Sequence, residues 1–263
     1  MAHPTIAFNA TIGVKILVLD LETTPLEAYS WGPKWETNLI EVTQQSRVLS
    51  FSAKWVGGKH ITKGWPDYKG YRKGVLNDKK IVKDIWKLLD EADVVVGQNS
   101  NSFDLKILNT RFLFHGLTPP SPYKKVDTKL EAKKYLRMPS NGLDDIGGYF
   151  HIGRKVEHEG FPLWKRCMAG DKKAWKKMLR YNKHDVILTE KFYLLLRPWM
   201  DSHPNAGMYK NKAACSRCGS GDVVARGYSV NKTTRYQRMQ CKQCGSWMRA
   251  PGNISEIKPL VSI

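Results

Sequence analysis

The stretch Lys15-Ile16-Leu17-Val18-Leu19-Asp20-Leu21-Glu22-Thr23-Thr24 governs how the rest of the chain is read. Its apolar run is short, bounded and rich in branched side chains, which fits a buried strand. Asp20 ends the run and Glu22 follows two positions later. In extended backbone, residues i and i+2 point to the same side. Two carboxylates therefore stand side by side at the strand's C-terminal end, the edge where open α/β sheets bind ligands. Like charges placed there repel unless a cation lies between them.

Working outward, Arg47 to Val56 alternates as a second strand, and Lys59 to Trp65 reads as a third, with Gly57-Gly58 as the turn. Ile81, Ile85, Leu88, Leu89 and Ala92 recur at helical spacing. Asp93 to Gly97 is another buried strand, and Asp104 to His115 a helix striped by Leu105, Leu108 and Phe112. Lys125-Val126-Asp127 is a short strand before a helix over Thr128–Leu136. The remainder to Leu196 is helical, with Gly and Pro breaks. Short turns make the first three strands antiparallel, and helical crossovers make the later ones parallel. The pattern predicts an α/β fold: a mixed five-stranded sheet flanked by helices.

Two further acids fall where this sheet would collect them. Asp104 follows the Asp93–Gly97 strand within GQNSNSFDLKIL, and Asp185 lies on a late helix within YNKHDVILTE. Tyr181 precedes Asp185 by four residues, so both share one helical face. Oxygen ligands of this kind suit Mg²⁺ or Mn²⁺. Two such ions serve in-line displacement at phosphorus, one at the attacking oxygen and one at the leaving oxygen. Each acid alone reads better as surface charge or a helix cap. The set, in this order and context, points to a phosphodiester-cleaving site.

These segments resemble the DEDD superfamily of 3′→5′ exonucleases, which have a ribonuclease H-like fold. The motifs are LDLETTP around Asp20 and Glu22, Asn99-Ser100-Asn101-Ser102-Phe103-Asp104, and Tyr181-Asn182-Lys183-His184-Asp185. Residue 180 is Arg rather than His, so the tyrosine (DEDDy) subclass applies. VGQNSNSFDLKIL and VDTKLEAKKYLRMPSNGLDDIGGYFHIGRK look like the proofreading domain of family-B DNA polymerases. The resemblance covers roughly residues 14–200, and what remains is too short for a polymerase palm, so a stand-alone enzyme is expected. It implies that Asp20, Glu22 and Asp185 hold the metal carrying the nucleophilic water, that Asp20 and Asp104 hold a second, and that Tyr181 orients the water. Asn99 and Phe103 would contact terminal nucleotides, although Phe103 fits core packing as well. Lys155 would grip phosphate or serve as a solvated loop lysine. His184 is expected to face backbone or solvent, and Asp127, Asp144 and Asp145 to act as caps or surface acids.

The five cysteines are Cys167, Cys215, Cys218, Cys241 and Cys244. Four form two CxxC knuckles separated by 22 residues, the donor set of a tetrahedral Zn²⁺ site. A glycine after each second Cys suits the left-handed turn of a knuckle. Val223–Tyr228 and Arg235–Gln240 read as a hairpin between them. The module resembles a zinc ribbon, and so small a unit needs its metal to stay folded. From Lys210 to Arg249 it has nine Lys or Arg and one acid, Asp222. Arg226, Tyr228, Arg235, Tyr236, Arg238 and Trp247 make it a candidate surface for single-stranded nucleic acid. A structural role, or docking to a protein, is the competing reading. Cys167 reads as a core thiol.

Composition agrees. Lys and Arg number 43 against 24 Asp and Glu, a net charge of +19 over 263 residues. That excess asks for a polyanion. Residues 1–200 have 33 basic and 21 acidic residues, net +12, and residues 201–263 have 10 and 3, net +7. The boundaries expected are a nuclease domain over 1–200, a linker over 201–212, a zinc ribbon over 213–250 and a tail over 251–263. No signal peptide, membrane span or ATP-binding loop is read, and the unpaired fifth cysteine favours a reducing, cytoplasmic setting. A monomer is expected, and a compact nuclease of this kind would suit a phage. The leading expectation is a metal-dependent 3′→5′ exonuclease on single-stranded DNA or DNA 3′ ends. An exoribonuclease using the same acids is the alternative. So is a zinc-ribbon, recombination-associated DNA-binding protein with a vestigial or endonucleolytic nuclease domain.

Overall fold

The computed structural model describes residues 13–32, 38–255 and 260. The first residues, read above as lacking a signal peptide, and the tail at 256–259 and 261–263 lie outside the described residues. In chain order the elements are β1 (Ile16–Thr23), β2 (Glu27–Ser30), β3 (Leu39–Gln44), β4 (Val48–Trp55), β5 (His60–Gly64), α1 (Lys79–Glu91) and β6 (Val94–Gly97). There follow α2 (Asp104–Phe114), β7 (Lys124–Asp127), α3 (Thr128–Tyr135), α4 (Leu143–Tyr149), α5 (Phe161–Met168) and α6 (Lys172–Leu196). The C-terminal module adds β8 (Val223–Val230), β9 (Arg235–Cys241) and β10 (Trp247–Arg249).

The main sheet has the order β5-β4-β1-β6-β7. β1, β4 and β5 pair antiparallel, and β6 and β7 join β1 in parallel. This is the mixed five-stranded sheet that the sequence predicts. β1 is buried on both faces. Leu17, Leu19 and Leu21 pack with Phe51 of β4, Ile85 and Leu89 of α1 and Leu105 and Leu108 of α2. Ile16 and Val18 turn the other way, onto Val94, Val96 and Val126 and onto Val186, Phe192 and Tyr193 of α6. Each such side chain contributes about 1.5–3 kcal/mol by leaving water. A slip by one residue would exchange the two faces, so the leucines fix the side on which Asp20 and Glu22 emerge.

Three features depart from the expected elements. β5 stops at Gly64, and Trp65–Asp67 forms a 3₁₀ turn with Pro66 in it, because proline has no N–H for a ladder. A hairpin of β2 and β3 is inserted between β1 and β4. Most of it is exposed, so no one-sided alternation marked it. The cysteine module contains three strands, β10-β9-β8, rather than two. The connection over 201–212 is anchored at two points. His203 and Ala206 are buried. Tyr193 Oη and His203 Nε2 lie 2.7 Å apart, and the Ala206 N–H donates to the Ser216 carbonyl at 2.8 Å. No helix among the described residues is long and apolar enough to cross a membrane.

Candidate active site

β1 delivers Asp20 and Glu22 at its C-terminal end, and α6 crosses the same side and delivers Asp185. Carboxylate oxygens of these three residues all lie within 4.8 Å of one another. α2 begins at Asp104, whose Oδ1 accepts the Leu21 N–H at 3.0 Å. That bond ties the third acid to the strand between the first two. The four predicted acids thus gather from three separate elements.

Their orientation is held from behind. Asn182 Nδ2 donates to Asp20 Oδ2 at 2.5 Å and to the Asp20 carbonyl at 3.3 Å, and Asn182 Oδ1 accepts from Ser50 Oγ at 3.3 Å. Lys155 Nζ lies 2.6 Å from Asp185 Oδ2 and 4.9 Å from the centre of the Tyr181 ring. The other oxygen, Asp185 Oδ1, is buried and has no hydrogen-bond partner. The Lys155 loop is fixed at two points. Asp144 Oδ1 accepts the Lys155 N–H at 2.7 Å, and His184 Nε2 donates to the Arg154 carbonyl at 2.6 Å.

Crowding and burial set the charge. Burial, then Asp104, Glu22 and Asp185, push the Asp20 carboxyl well above its ordinary range. Burial and Asp185 push Glu22 up to about 8. Burial raises Asp104 to about 7, against the hydrogen bonds it accepts from backbone. Asp185 also moves up through burial, offset by Lys155 and Tyr181. Such a cluster holds protons at neutral pH unless a cation replaces them. Crowded carboxylates with one partnerless buried oxygen are the donor set a hard divalent ion takes, so these residues fit Mg²⁺ or Mn²⁺. The Tyr181 phenol is raised by burial and by Asp185 and Glu22, so it stays protonated and serves as a donor rather than a base.

Other expected residues are placed as follows. Asn99 adopts φ 62°. Its N–H donates to Asp127 Oδ1 at 2.9 Å, and its Oδ1 accepts from Ser102 Oγ at 3.0 Å. Phe103 is 44% exposed, so its ring is open beside Asp104 rather than packed in the core. Asp127 caps α3 and also holds the Asn99–Asn101 turn. Asn182 and Ser50 carry no signal in the sequence, and Asp144, expected as a cap or surface acid, anchors the Lys155 loop. Asn182 stands three residues before Asp185, on the same helical face, and it is fully buried.

The four cysteines also converge. Cys215 Sγ lies 3.7 Å from Cys244 Sγ, and Cys218 Sγ 3.6 Å from Cys241 Sγ. Four thiolates about 2.3 Å from a tetrahedral zinc stand about 3.8 Å apart, so the set fits one Zn²⁺. Gly219 and Gly245 have φ of 72° and 78°, the left-handed turns expected of the knuckles. Cys167 is buried in the main core. On the ribbon surface, Arg235 stacks on Tyr228 at 3.6 Å, Arg249 on Tyr236 at 4.0 Å and Arg238 on Trp247 at 4.9 Å. Arg226 sits at an irregularity of β8.

A family model of the RNase_H superfamily matches residues 35–197. The chain belongs to the RNase_H superfamily. In this RNase_H-superfamily domain the matched stretch starts after Asp20 and Glu22, and the sheet returns both to Asp104 and Asp185. Among solved structures, the family B DNA polymerase from the hyperthermophilic archaeon Pyrobaculum calidifontis is similar, with a TM-score of 0.53 and 17% identity. The match covers 70% of this chain and 25% of the polymerase. It shows a shared fold, as the motif resemblance to family-B polymerases implied. No curated protein matches the chain.

Proposed function

We propose that the chain is a metal-dependent 3′→5′ exonuclease acting mainly on single-stranded DNA. The observation behind this reading is the convergence of Asp20, Glu22 and Asp185 within 4.8 Å, joined by Asp104 through the Leu21 N–H. Asp20, Glu22 and Asp185 would hold one divalent ion, and Asp20 and Asp104 a second. Such ions supply a hydroxide at neutral pH and stabilise charge on the leaving oxygen. The residues themselves do the positioning. Asn182 fixes Asp20. Tyr181, whose ring lies under Lys155 Nζ, keeps its proton and presents its hydroxyl to the attacking water. Lys155, kept protonated by Asp185 against the effect of burial, offsets negative charge at the acids and faces the incoming phosphate. Phe103 offers an open ring to a terminal base, and the Asn99 turn shapes the approach. The zinc ribbon, held by Cys215, Cys218, Cys241 and Cys244, adds hold on the strand, and the enzyme works as a cytoplasmic monomer.

The test is a ladder from a 5′-labelled oligonucleotide, run as DNA and as RNA with Mg²⁺ or Mn²⁺. Stepwise shortening of the DNA strand is expected. Shortening of RNA alone would move the reading to an exoribonuclease. Internal cuts, or binding without cleavage, would overturn it.

A further inference from the structure

The ribbon has one surface on which two arginines face each other. In the β9–β10 ladder Arg249 pairs directly with Arg238, and Trp247 with Gln240. Residues two apart on a strand share a face, so Tyr236, Arg238, Gln240, Trp247 and Arg249 lie together. Like charges directly opposite one another destabilise a sheet. Among the described residues no carboxylate forms an ion pair with either arginine.

Arg238 is also pinned. Gly227, at φ 63°, opens an irregularity in β8, and a Cβ there would stand 3.4 Å from Arg238 Nη2. Arg238 Nε donates to the Arg226 carbonyl at 2.9 Å, and Trp247 lies under the guanidinium. Its Nε is engaged by backbone, which leaves the terminal nitrogens for a ligand. Arg249 is seated on Tyr236 in the same manner. A guanidinium held in place loses less freedom on binding.

We infer that Arg238 and Arg249 form a two-arginine clamp for one backbone phosphate of a single nucleic-acid strand, with the adjoining bases stacking on the exposed guanidinium and Trp247 faces. This rests on the nuclease reading for its substrate, and it assigns the strand to one of the two ribbon faces. Tyr228 and Arg235 pair with each other on the other face: Arg235 is two residues from Gln237, which Tyr228 opposes.

The experiment uses the full zinc-loaded chain carrying Asp20→Ala, so that the strand survives, and a fluorescent single-stranded 20-mer as DNA and as RNA. Affinity is measured against salt for Arg238→Gln, Arg249→Gln, the double variant and Arg235→Gln, with zinc content confirming the fold. Each single clamp variant should weaken binding about tenfold. The double should be little worse than the singles, and its salt dependence should fall by about 0.7, the value of one phosphate on a single strand. Arg235→Gln should change affinity less than twofold. A double variant within twofold of the parent with the same salt slope would overturn the clamp, as would an equal loss for Arg235→Gln. The nuclease reading is checked separately by hydrolysis of the mononucleotide ester thymidine 5′-p-nitrophenyl phosphate by the wild-type chain. Failure there overturns that reading and leaves the binding result standing.

Discussion

The acid site and the cysteine site both gather four metal-binding side chains, yet they stand in opposite relations to the fold. Asp20, Glu22, Asp104 and Asp185 are brought together by a large two-faced core in which Leu17, Leu19, Phe51 and Phe192 are buried. Their mutual repulsion works against folding, and a cation relieves it. Cys215, Cys218 and Cys241 are themselves the buried core of their module, and Val223, Cys244 and Met248 are the partly buried hydrophobic residues packed against them among the described residues. There a metal would substitute for a core. The difference teaches that an ion at the acids would serve chemistry on a fold already secured, whereas one at the cysteines would serve folding.

The largest effect that would sharpen this contrast is chemical. Asp20→Ala or Asp185→Ala should lower hydrolysis by at least about 10³-fold without lowering the thermal midpoint. Unchanged activity in a folded Asp20→Ala protein would break the site assignment. Stripping zinc should do the reverse. Structural zinc contributes about 10–16 kcal/mol to small modules. A zinc-specific chelator should therefore abolish amide-exchange protection over β8–β10 while leaving the main sheet protected. Loss of protection in both regions together would remove the distinction.

Smaller effects probe the acids' surroundings. Asn182→Ala removes the donor to Asp20 and should cost about 10–100-fold in activity, with kcat falling more than KM rises. The pH dependence has a definite sign. Carboxyls whose folded pKa is raised, with Glu22 near 8 and Asp104 near 7, stabilise the metal-free fold below their unfolded values, near 4. That contribution is lost as pH rises through the folded values. The metal-free thermal midpoint should therefore decline between about pH 5 and pH 8. The increment from added Mg²⁺ should grow over the same range, because the ion displaces protons. A pH-independent increment would mean that these acids do not bind it.

Much of this was legible in the sequence, for physical reasons that differ by residue. Asp20 and Glu22 were readable because β1 is buried on both faces, although the strand extends past Asp20 to Thr23. Tyr181 and Asp185 were readable from a four-residue spacing on a helix. The β2–β3 hairpin was not, since an uncovered hairpin has no alternation to show. On sequence alone Lys155 suits a phosphate contact and a solvated loop position equally. Its ion pair with Asp185 depends on a loop anchored by Asp144 and His184, which no local pattern encodes. Asn182 carries no sequence signal, because a single amide on a helix looks like any polar surface residue until Ser50 and Asp20 close around it. The ribbon's knuckles were explicit in their spacing, but the division of its arginines between two faces required the β9–β10 register.

The central claim is that these four carboxylates hold divalent ions, and counting ions tests it most directly. Mn²⁺ bound to the full zinc-loaded chain can be counted by electron paramagnetic resonance at pH 8. Two Mn²⁺ per wild-type chain are expected, with binding lost in Asp20→Ala while the zinc content is unchanged. Equal Mn²⁺ binding by the two proteins would contradict the account.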